Sequence, residues 1–353
     1  MIGEPSMTER LRRWGFALAL PLACCSLVVS AHAGQPLSVA TISIPGGAGG
    51  IGFDDLSFSP ELHRLIVPAG RTGEMILIDP ISRKLDEIDG FSAQASYPGG
   101  NGQGVTSADV GRGAIFATDR DEETLDLVDP HSRSILAKTK LAAAPEYVRY
   151  VASTNEVWVT EPPASQIEIF SLPEHGLPEP NSAGTIHIPG GGPISLVIDD
   201  RRGRAYTSGL VNETMAIDLR KRAIAAQWRN GCHWSRGLAL DRERGFLMVG
   251  CEEGKLESLA VDNGKRLGEA AAGDGVDTIA YAPRLHHAYL PAAKTATMAV
   301  IDIAADGKPT MLATVPTASD GHCVTADDLG NVYVCNPRAG QLMLFHDGIA
   351  NGR

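Results

Sequence analysis

Apolar and polar residues alternate along the chain in seven similar units. Each unit opens with an alternating strand and a polar turn, continues with a strand of apolar and aromatic residues, and has a third strand that often ends in Asp. SLVIDDRRGRAYTS (195–208) followed by TMAIDL (214–219) is one example. Alternation with period two that ends in turn residues is typical of β-strands. The pattern therefore predicts an all-β protein built from repeated antiparallel sheets.

The spacing of the units predicts how the sheets are arranged. One position in the first strand of every unit is held by Leu56, Thr106, Val148, Leu196, Leu238, Ile279 and Val324. Successive members lie roughly 40 to 50 residues apart, which is the length of a four-stranded propeller blade. A solenoid would have shorter rungs, and a pair of sandwiches would not repeat seven times. We therefore expect a seven-bladed β-propeller of four-stranded antiparallel blades.

The two ends of the chain are expected to share one blade. After the third strand of the last unit only the short polar segment 346–353 remains. At the other end, TISIPGG (41–47) is similar to TIHIPGG (185–191), which is the fourth strand of the third unit. We therefore predict that the N-terminal strand completes the last blade, which closes the ring and leaves no open edge between the first and last blades.

The first 33 residues have the features of a secretory signal peptide. Arg10, Arg12 and Arg13 precede an apolar run over 15–30, and Ala-His-Ala at 31–33 is typical of a cleavage site. The run is short for a transmembrane anchor, which is the alternative. We expect a periplasmic or secreted protein without a membrane span after cleavage, in which residues 34–353 form a single propeller domain.

The charge of the chain indicates which partners to expect, and its cysteines indicate disulfide bonds. The net charge of −11 argues against nucleic acid, since binding the phosphate backbone needs clustered Lys and Arg. Four cysteines follow the leader, and an even number in an exported chain favours disulfides. Hairpin pairing brings Cys232 near Cys251 and Cys323 near Cys335. The alternative is thiolate binding of a metal, but the spacings do not match zinc motifs.

The repeat resembles the YVTN type of propeller found in YncE-like bacterial proteins. The resemblance is carried by NVYVCN (331–336), GRAY (203–206) and GDGVDTIAY (273–281), together with the Gly-Cys pattern over 231–251. It spans residues 38 to 345. It implies a seven-bladed propeller and export. It implies little about function, because many such proteins have no assigned reaction.

Ionisable residues recur two positions before the register residue of the first strand. This position is occupied by Asp54, Gly104, Glu146, Ile194, Arg236, Asp277 and His322. The first strands of a propeller line its central channel, so these residues are expected to form a ring at the channel entrance. A channel entrance is also where a propeller is expected to bind a ligand.

The ring supports two interpretations. In the functional one, Arg236 and Glu146 bind a small polar ligand, or Asp54, Asp277 and His322 hold a divalent cation such as Ca²⁺, Mg²⁺ or Zn²⁺. With a cation, His322 is the candidate for moving a proton. In the structural interpretation, Arg236 neutralises the acids in a hydrated salt-bridge network.

Two further groups lie in loops. Trp234 precedes Arg236 and either stacks on a ligand at the channel or packs between blades. His286 and His287 fall in the turn of the sixth unit and are expected to be solvent-exposed.

These observations lead to one functional prediction and one alternative. We expect an exported, monomeric binding or scaffold protein for a small polar ligand or a protein partner at the channel face. The alternative is a metal-dependent enzyme of the lactonase or lyase type that uses the Asp and His residues of the channel. The residues identify neither the ligand nor a substrate, so turnover is left open.

Overall fold

Seven four-stranded antiparallel sheets make up residues 39–349, the part of the chain that the structure describes. The structure is a computed structural model. Its only helical segments among these residues are two 3-10 turns, Pro162–Ala164 and Pro337–Ala339. The first strands of neighbouring sheets contact each other all the way round a closed ring. The predicted seven-bladed β-propeller is confirmed, whereas the leader predicted over residues 1–33 lies outside the described residues.

The first three blades follow one another along the chain. Blade 1 contains β2 (Ser57–Ser59), β3 (Arg64–Pro68), β4 (Met75–Ile78) and β5 (Leu85–Ile88). Blade 2 contains β6 (Val105–Gly111), β7 (Ala114–Asp119), β8 (Thr124–Asp129) and β9 (Ser134–Lys140). Blade 3 contains β10 (Val148–Val151), β11 (Glu156–Glu161), β12 (Gln166–Ser171) and β13 (Asn181–His187).

Blades 4 to 6 repeat the same order of strands. Blade 4 contains β14 (Val197–Asp199), β15 (Arg204–Ser208), β16 (Thr214–Asp218) and β17 (Ala223–Trp228). Blade 5 contains β18 (Ser235–Asp241), β19 (Phe246–Cys251), β20 (Lys255–Ala260) and β21 (Arg266–Ala271). Blade 6 contains β22 (Ala280–Ala282), β23 (His287–Ala292), β24 (Thr297–Ile303) and β25 (Pro309–Pro316).

The last blade joins the two ends of the described chain, as the sequence predicts. Blade 7 contains β26 (Val324–Ala326), β27 (Asn331–Asn336), β28 (Gln341–His346) and β1 (Val39–Ser43). β1 pairs with β28 in antiparallel register over its whole length, from Val39 opposite Phe345 to Ser43 opposite Gln341. The ring is therefore closed by backbone hydrogen bonds, and β1 covers the edge that β28 would otherwise expose.

Apolar layers between adjacent blades form the core. The described residues contain seven such clusters, one at each interface between neighbouring blades. The second strand of each blade is buried on both faces, and its third residue is buried in the core. This position is held by Ile66, Phe116, Trp158, Tyr206, Met248, Tyr289 and Tyr333. Outer strands such as β9 alternate between exposed and partly buried residues, as expected for a strand with one face in water.

The expectation that the histidine pair of blade 6 faces solvent is wrong for His287. Its side chain is fully buried, and its Nδ1 lies 2.7 Å from Oδ2 of Asp347. Tyr289 donates a hydrogen bond to the same oxygen at 2.6 Å. Asp347 follows β28 of blade 7. The pattern of residues within blade 6 therefore does not predict that His287 is buried against this carboxylate.

The cysteine pairs are joined as predicted. Cys232 bonds to Cys251 and Cys323 bonds to Cys335, with Cα–Cα distances of 5.2 Å and 5.5 Å. Each bond links the segment before a first strand to the second strand of the same blade, near its end. No helix among the described residues is sufficiently long and apolar to span a bilayer.

Candidate functional site

Five of the seven predicted ring positions line one cavity. The cavity has a volume of about 530 Å³ and lies at the end of the ring where the first strands begin. We call it the channel mouth, and its ring residues are Glu146, Ile194, Arg236, Asp277 and His322. The strand register explains why residues distant in sequence meet here, since equivalent positions of successive first strands lie at the same height in the ring.

Asp54 lies behind the wall of the mouth in an ion-pair network. Arg120, from the turn between β7 and β8, contacts Oδ2 of Asp54 at 3.0 Å and Oε2 of Glu146 at 2.7 Å. Its Nε also donates to the carbonyl oxygen of Pro145 at 2.8 Å, which fixes the guanidinium between the two acids. Only 2% of Asp54 is exposed. Burial and the charge of Glu146 raise the pKa of Asp54 well above its usual range, despite Arg120.

Arg236 is held by a carboxylate that the ring pattern did not include. Its guanidinium pairs with Glu252, which follows β19, and its Nε lies 3.1 Å from Oε2. Nζ of Lys294 lies 3.3 Å from the other oxygen of Glu252. These two cations lower the pKa of Glu252, with the hydrogen bond from Arg236 as the largest cause. Arg236 therefore contacts Glu252 directly. Burial opposes its charge, but the hydrogen bond to Glu252 and the charges of Asp277, Glu252 and Glu146 raise the pKa of Arg236.

Asp277 has no such partner. It is half-buried on the wall of the mouth, and within the described residues no Lys, Arg or His nitrogen lies within 4.0 Å of its carboxylate. Its backbone is fixed, because its carbonyl oxygen accepts the Gly237 N–H at 2.7 Å. A Cβ at Gly237 would lie 2.7 Å from this same oxygen, so the close approach of blades 5 and 6 requires glycine. Asp277 therefore has no cation in direct contact, although its charge is one of those that raise the pKa of nearby Arg236 against the effect of burial.

Both nitrogens of His322 face backbone carbonyl groups. Nδ1 lies 2.6 Å from the oxygen of Asp320, and Nε2 lies 2.9 Å from the oxygen of Phe53. A nitrogen that donates to a carbonyl cannot at the same time bind a metal through its lone pair. In this conformation the imidazole lines the mouth with its ring and holds blade 7 against the loop before β2.

The acids and the histidine do not converge as a set of metal ligands. Over residues 39–349, two groups place three potential ligand atoms within 4.8 Å of one another: His322 with Cys323 and Cys335, and Cys232 with Cys251 and Glu253. Both groups depend on sulfur atoms that are in disulfides. The metal-binding role of Asp54, Asp277 and His322 stays a prediction.

A second ion pair lies below the mouth. Arg149 of blade 3 contacts Asp55 of blade 1 through two nitrogens, at 2.6 Å and 3.2 Å. Ser107 of blade 2 donates to Oδ2 of Asp55 at 2.6 Å, so three first strands are tied together. Asp55 and Arg149 line a separate cavity of about 620 Å³, which shares no lining residue with the channel mouth. We call it the lower cavity.

Loop residues complete the mouth and its rim. Tyr97 and Asn101, from the long loop between β5 and β6, also line the mouth. Trp234, in the loop before β18, is 48% exposed. The interpretation of Trp234 as packing between blades is therefore wrong, and its role toward a ligand stays a prediction.

Comparison with known proteins identifies the fold. No protein-family model and no curated protein matches the chain. Similar solved chains occur in the crystal structure of the mitotic checkpoint complex (TM-score 0.72, 13% identity, 95% of this chain and 98% of that chain covered) and in the hydrazine synthase of Kuenenia stuttgartiensis (0.68, 12%, 88% and 98%). A third is the structure of U3-55K (0.71, 10%, 88% and 100%). At these identities the similarity shows the fold alone.

Proposed function

We propose that this propeller is an exported binding protein whose channel mouth takes a small polar ligand carrying a positive charge. The observation that carries the proposal is the carboxylate of Asp277, which faces a cavity of about 530 Å³ without a cation within 4.0 Å among the described residues. Arg120 and Arg236 are both engaged by other acids. A positively charged group would supply the direct ionic contact that Asp277 lacks.

The surrounding groups are suited to an organic cation. Tyr97 contributes an aromatic ring and Asn101 an amide to the same cavity. Aromatic faces attract ammonium groups, and carboxylates and amide oxygens accept their hydrogen bonds. Burial and the charge of Asp277 raise the pKa of Glu146 despite Arg120. A bound cation would favour the ionised form of Glu146, so binding would release protons and the affinity would increase with pH.

Export is supported by the sequence features at the N-terminus and by the two disulfides. Disulfides persist in the periplasm and outside the cell, where the environment is oxidising. The resemblance to YncE-like propellers over residues 38 to 345 points to the same compartment. If the leader is removed after Ala33, mass spectrometry of the exported protein gives a chain that begins at Gly34; an uncleaved chain would contradict this part of the proposal.

Melting curves with small amines test the proposed ligand class. We expect at least one of choline, L-lysine and spermidine to raise the melting temperature of the full chain, because a ligand that binds only the folded state stabilises it. Asp277→Asn should remove this increase by removing the carboxylate that has no cation in contact with it. Asp306→Asn, which changes an exposed acid in the turn between β24 and β25 of blade 6, is the matched control.

The same variants distinguish the proposed binding protein from the enzyme alternative. If none of the three amines stabilises the wild type, or if the two variants respond equally, the cation site is refuted. Stoichiometric Ca²⁺, Mg²⁺ or Zn²⁺ in the purified protein that is lost in Asp277→Asn would instead favour the metal-dependent lactonase or lyase.

A further inference from the structure

Trp234 is displayed on the face that carries the channel mouth. It lies in a loop that leads into a first strand, and all such loops lie at the same end of the ring. Its exposed fraction of 48% is high for the largest apolar side chain, which in proteins is usually mostly buried. Exposed tryptophans are enriched at the centres of protein interfaces.

The loop that carries Trp234 is braced on several sides. Both oxygens of Glu253 accept backbone N–H groups, from His233 at 2.7 Å and from Trp234 at 3.1 Å. The Trp234 carbonyl accepts the N–H of Glu252 at 3.0 Å. The disulfide from Cys232 to Cys251 ties the loop to the end of β19. Because the loop is already held in one conformation, fixing the Trp234 side chain on binding would cost little free energy.

A second exposed apolar residue lies on the neighbouring turn. Val211, between β15 and β16, is 52% exposed. The N–H of Ser235 donates to the carbonyl oxygen of Leu210 at 3.0 Å, which brings the turn of Val211 beside the loop of Trp234. Turns between second and third strands lie at the same end of the ring as the loops before the first strands. Val211 and Trp234 therefore belong to one face, which we call the Trp234 face.

The charge of the Trp234 face favours a basic partner. Glu213, Glu253 and Asp277 come from adjacent turns of blades 4 to 6, and within residues 39–349 none of them has a Lys, Arg or His nitrogen within 4.0 Å. The whole chain is also acidic, with a net charge of −11. A partner segment with positive charge would meet complementary potential both at the mouth and around the tryptophan.

We propose that the Trp234 face docks a protein segment that places an apolar side chain against Trp234 and Val211 and a nearby Lys or Arg side chain in the channel mouth. The proposal rests on the proposed function, because it uses the positive-charge preference of the mouth. It extends that function from a small ligand to a basic residue within a protein chain.

Synthetic peptides test the docking surface on the full chain. The probes are octapeptides of Gly and Ser that contain one Leu and one Lys separated by zero to four residues, and a matched series with norleucine in place of Lys. Binding is followed by polarisation of labelled peptides and by tryptophan emission. Trp158 and Trp228 also emit, so the contribution of Trp234, which should shift to shorter wavelength on burial, is the part that Trp234→Ala removes. We expect at least one Lys spacing to bind and its norleucine counterpart to bind at least about tenfold more weakly.

Three variants assign the contacts. Trp234→Ala should lower the affinity for the best peptide at least about tenfold, as expected for the central residue of an interface. Ile81→Ala, which removes an exposed apolar side chain from a turn between third and fourth strands, at the opposite end of the ring, should leave it unchanged. Val211→Asp should weaken binding by replacing an apolar contact with a charge. Melting curves without peptide should be the same for all three, because these side chains are exposed.

The outcomes separate this inference from the proposed function. If no peptide binds, or if Trp234→Ala and Ile81→Ala behave alike, the docking surface is refuted, while stabilisation by small amines that requires Asp277 would leave the proposed function standing. If peptides bind through Trp234 but Lys and norleucine are equivalent and amines have no effect, both the basic partner and the cation site are refuted.

Discussion

At the scale of single residues, two aspartates that are adjacent in sequence pair with arginines of different blades. Asp54 pairs with Arg120 beside the mouth, whereas Asp55 pairs with Arg149 in the lower cavity. Successive residues of an extended chain point in opposite directions, so each carboxylate meets a different blade. Both pairs are largely buried, and removal of one partner would leave a buried charge unpaired.

Another buried acid makes the stability depend on pH. Glu161, the last residue of β11, is fully buried, and Oε2 accepts a hydrogen bond from Gln166 at 2.6 Å. Burial and the neighbouring Glu168 raise the pKa of Glu161 to about 7. Between pH 4.5 and 7 the folded protein therefore binds more protons at this site than the unfolded chain, and stability decreases as the pH rises through this window.

Glu161→Gln should remove this pH dependence. A neutral amide fits the same hydrogen bond from Gln166, so we expect the variant to gain stability relative to the wild type at pH 8 compared with pH 5. The upper bound of the gain is about 3 kcal/mol, from a shift of roughly two pKa units. Urea unfolding at the two pH values measures it. Glu174→Gln, at an exposed position, is the control; equal effects of the two variants would contradict the assignment.

The sequence predicts the site residues whose positions are determined by strand register, but it does not predict those that lie in turns. Glu146, Arg236 and Asp277 are predicted to meet because each lies at the same position relative to a repeated strand. Arg120 and Glu252 lie in turns whose length and direction differ between blades, so alternation carries no signal for them. The ring nitrogens of His322 face backbone carbonyl groups. Every residue has such a group, so the sequence contains no signal for these contacts.

At the scale of strands, β1 shows how much of the fold depends on one short element. Its alternation of exposed and buried residues matches a strand with one face in the core, where Ile42 packs in the layer between blades 7 and 1. Similarity of this segment to the fourth strand of blade 3 was sufficient to predict its place. The sequence separation from β28 is almost the length of the chain, so only the repeat, and no local signal, indicates the pairing.

Ile42→Asp should detach β1 from the last blade. The substitution places an unpaired carboxylate in an apolar layer, and we expect a loss of at least about 3 kcal/mol in the free energy of unfolding. Faster hydrogen exchange of the β28 amides would show that the strand has separated. Thr41→Asp, one residue earlier and exposed, should change stability by no more than about 0.5 kcal/mol. Similar losses in both variants would argue against a specific role of the buried position.

At the scale of the whole molecule, the two ends of the ring are distinct. The channel mouth and the lower cavity share no lining residue, and the contacts of Asp55 with Arg149 and Ser107 link three blades in the region of the lower cavity. The exposed Trp234 and Asp277, whose carboxylate has no cation in contact, both belong to the end with the mouth. A ligand or partner that uses them would therefore approach the propeller from one side.

The pairing of β1 with β28 also has a consequence for biosynthesis. A ribosome makes β1 long before β28, the strand with which it pairs. Until residues 341–346 have been made, the segment from Val39 to Ser43 has no strand to pair with. A product that stops before residue 341 would leave β1 unpaired, so blade 7 can be completed only after synthesis has passed β28.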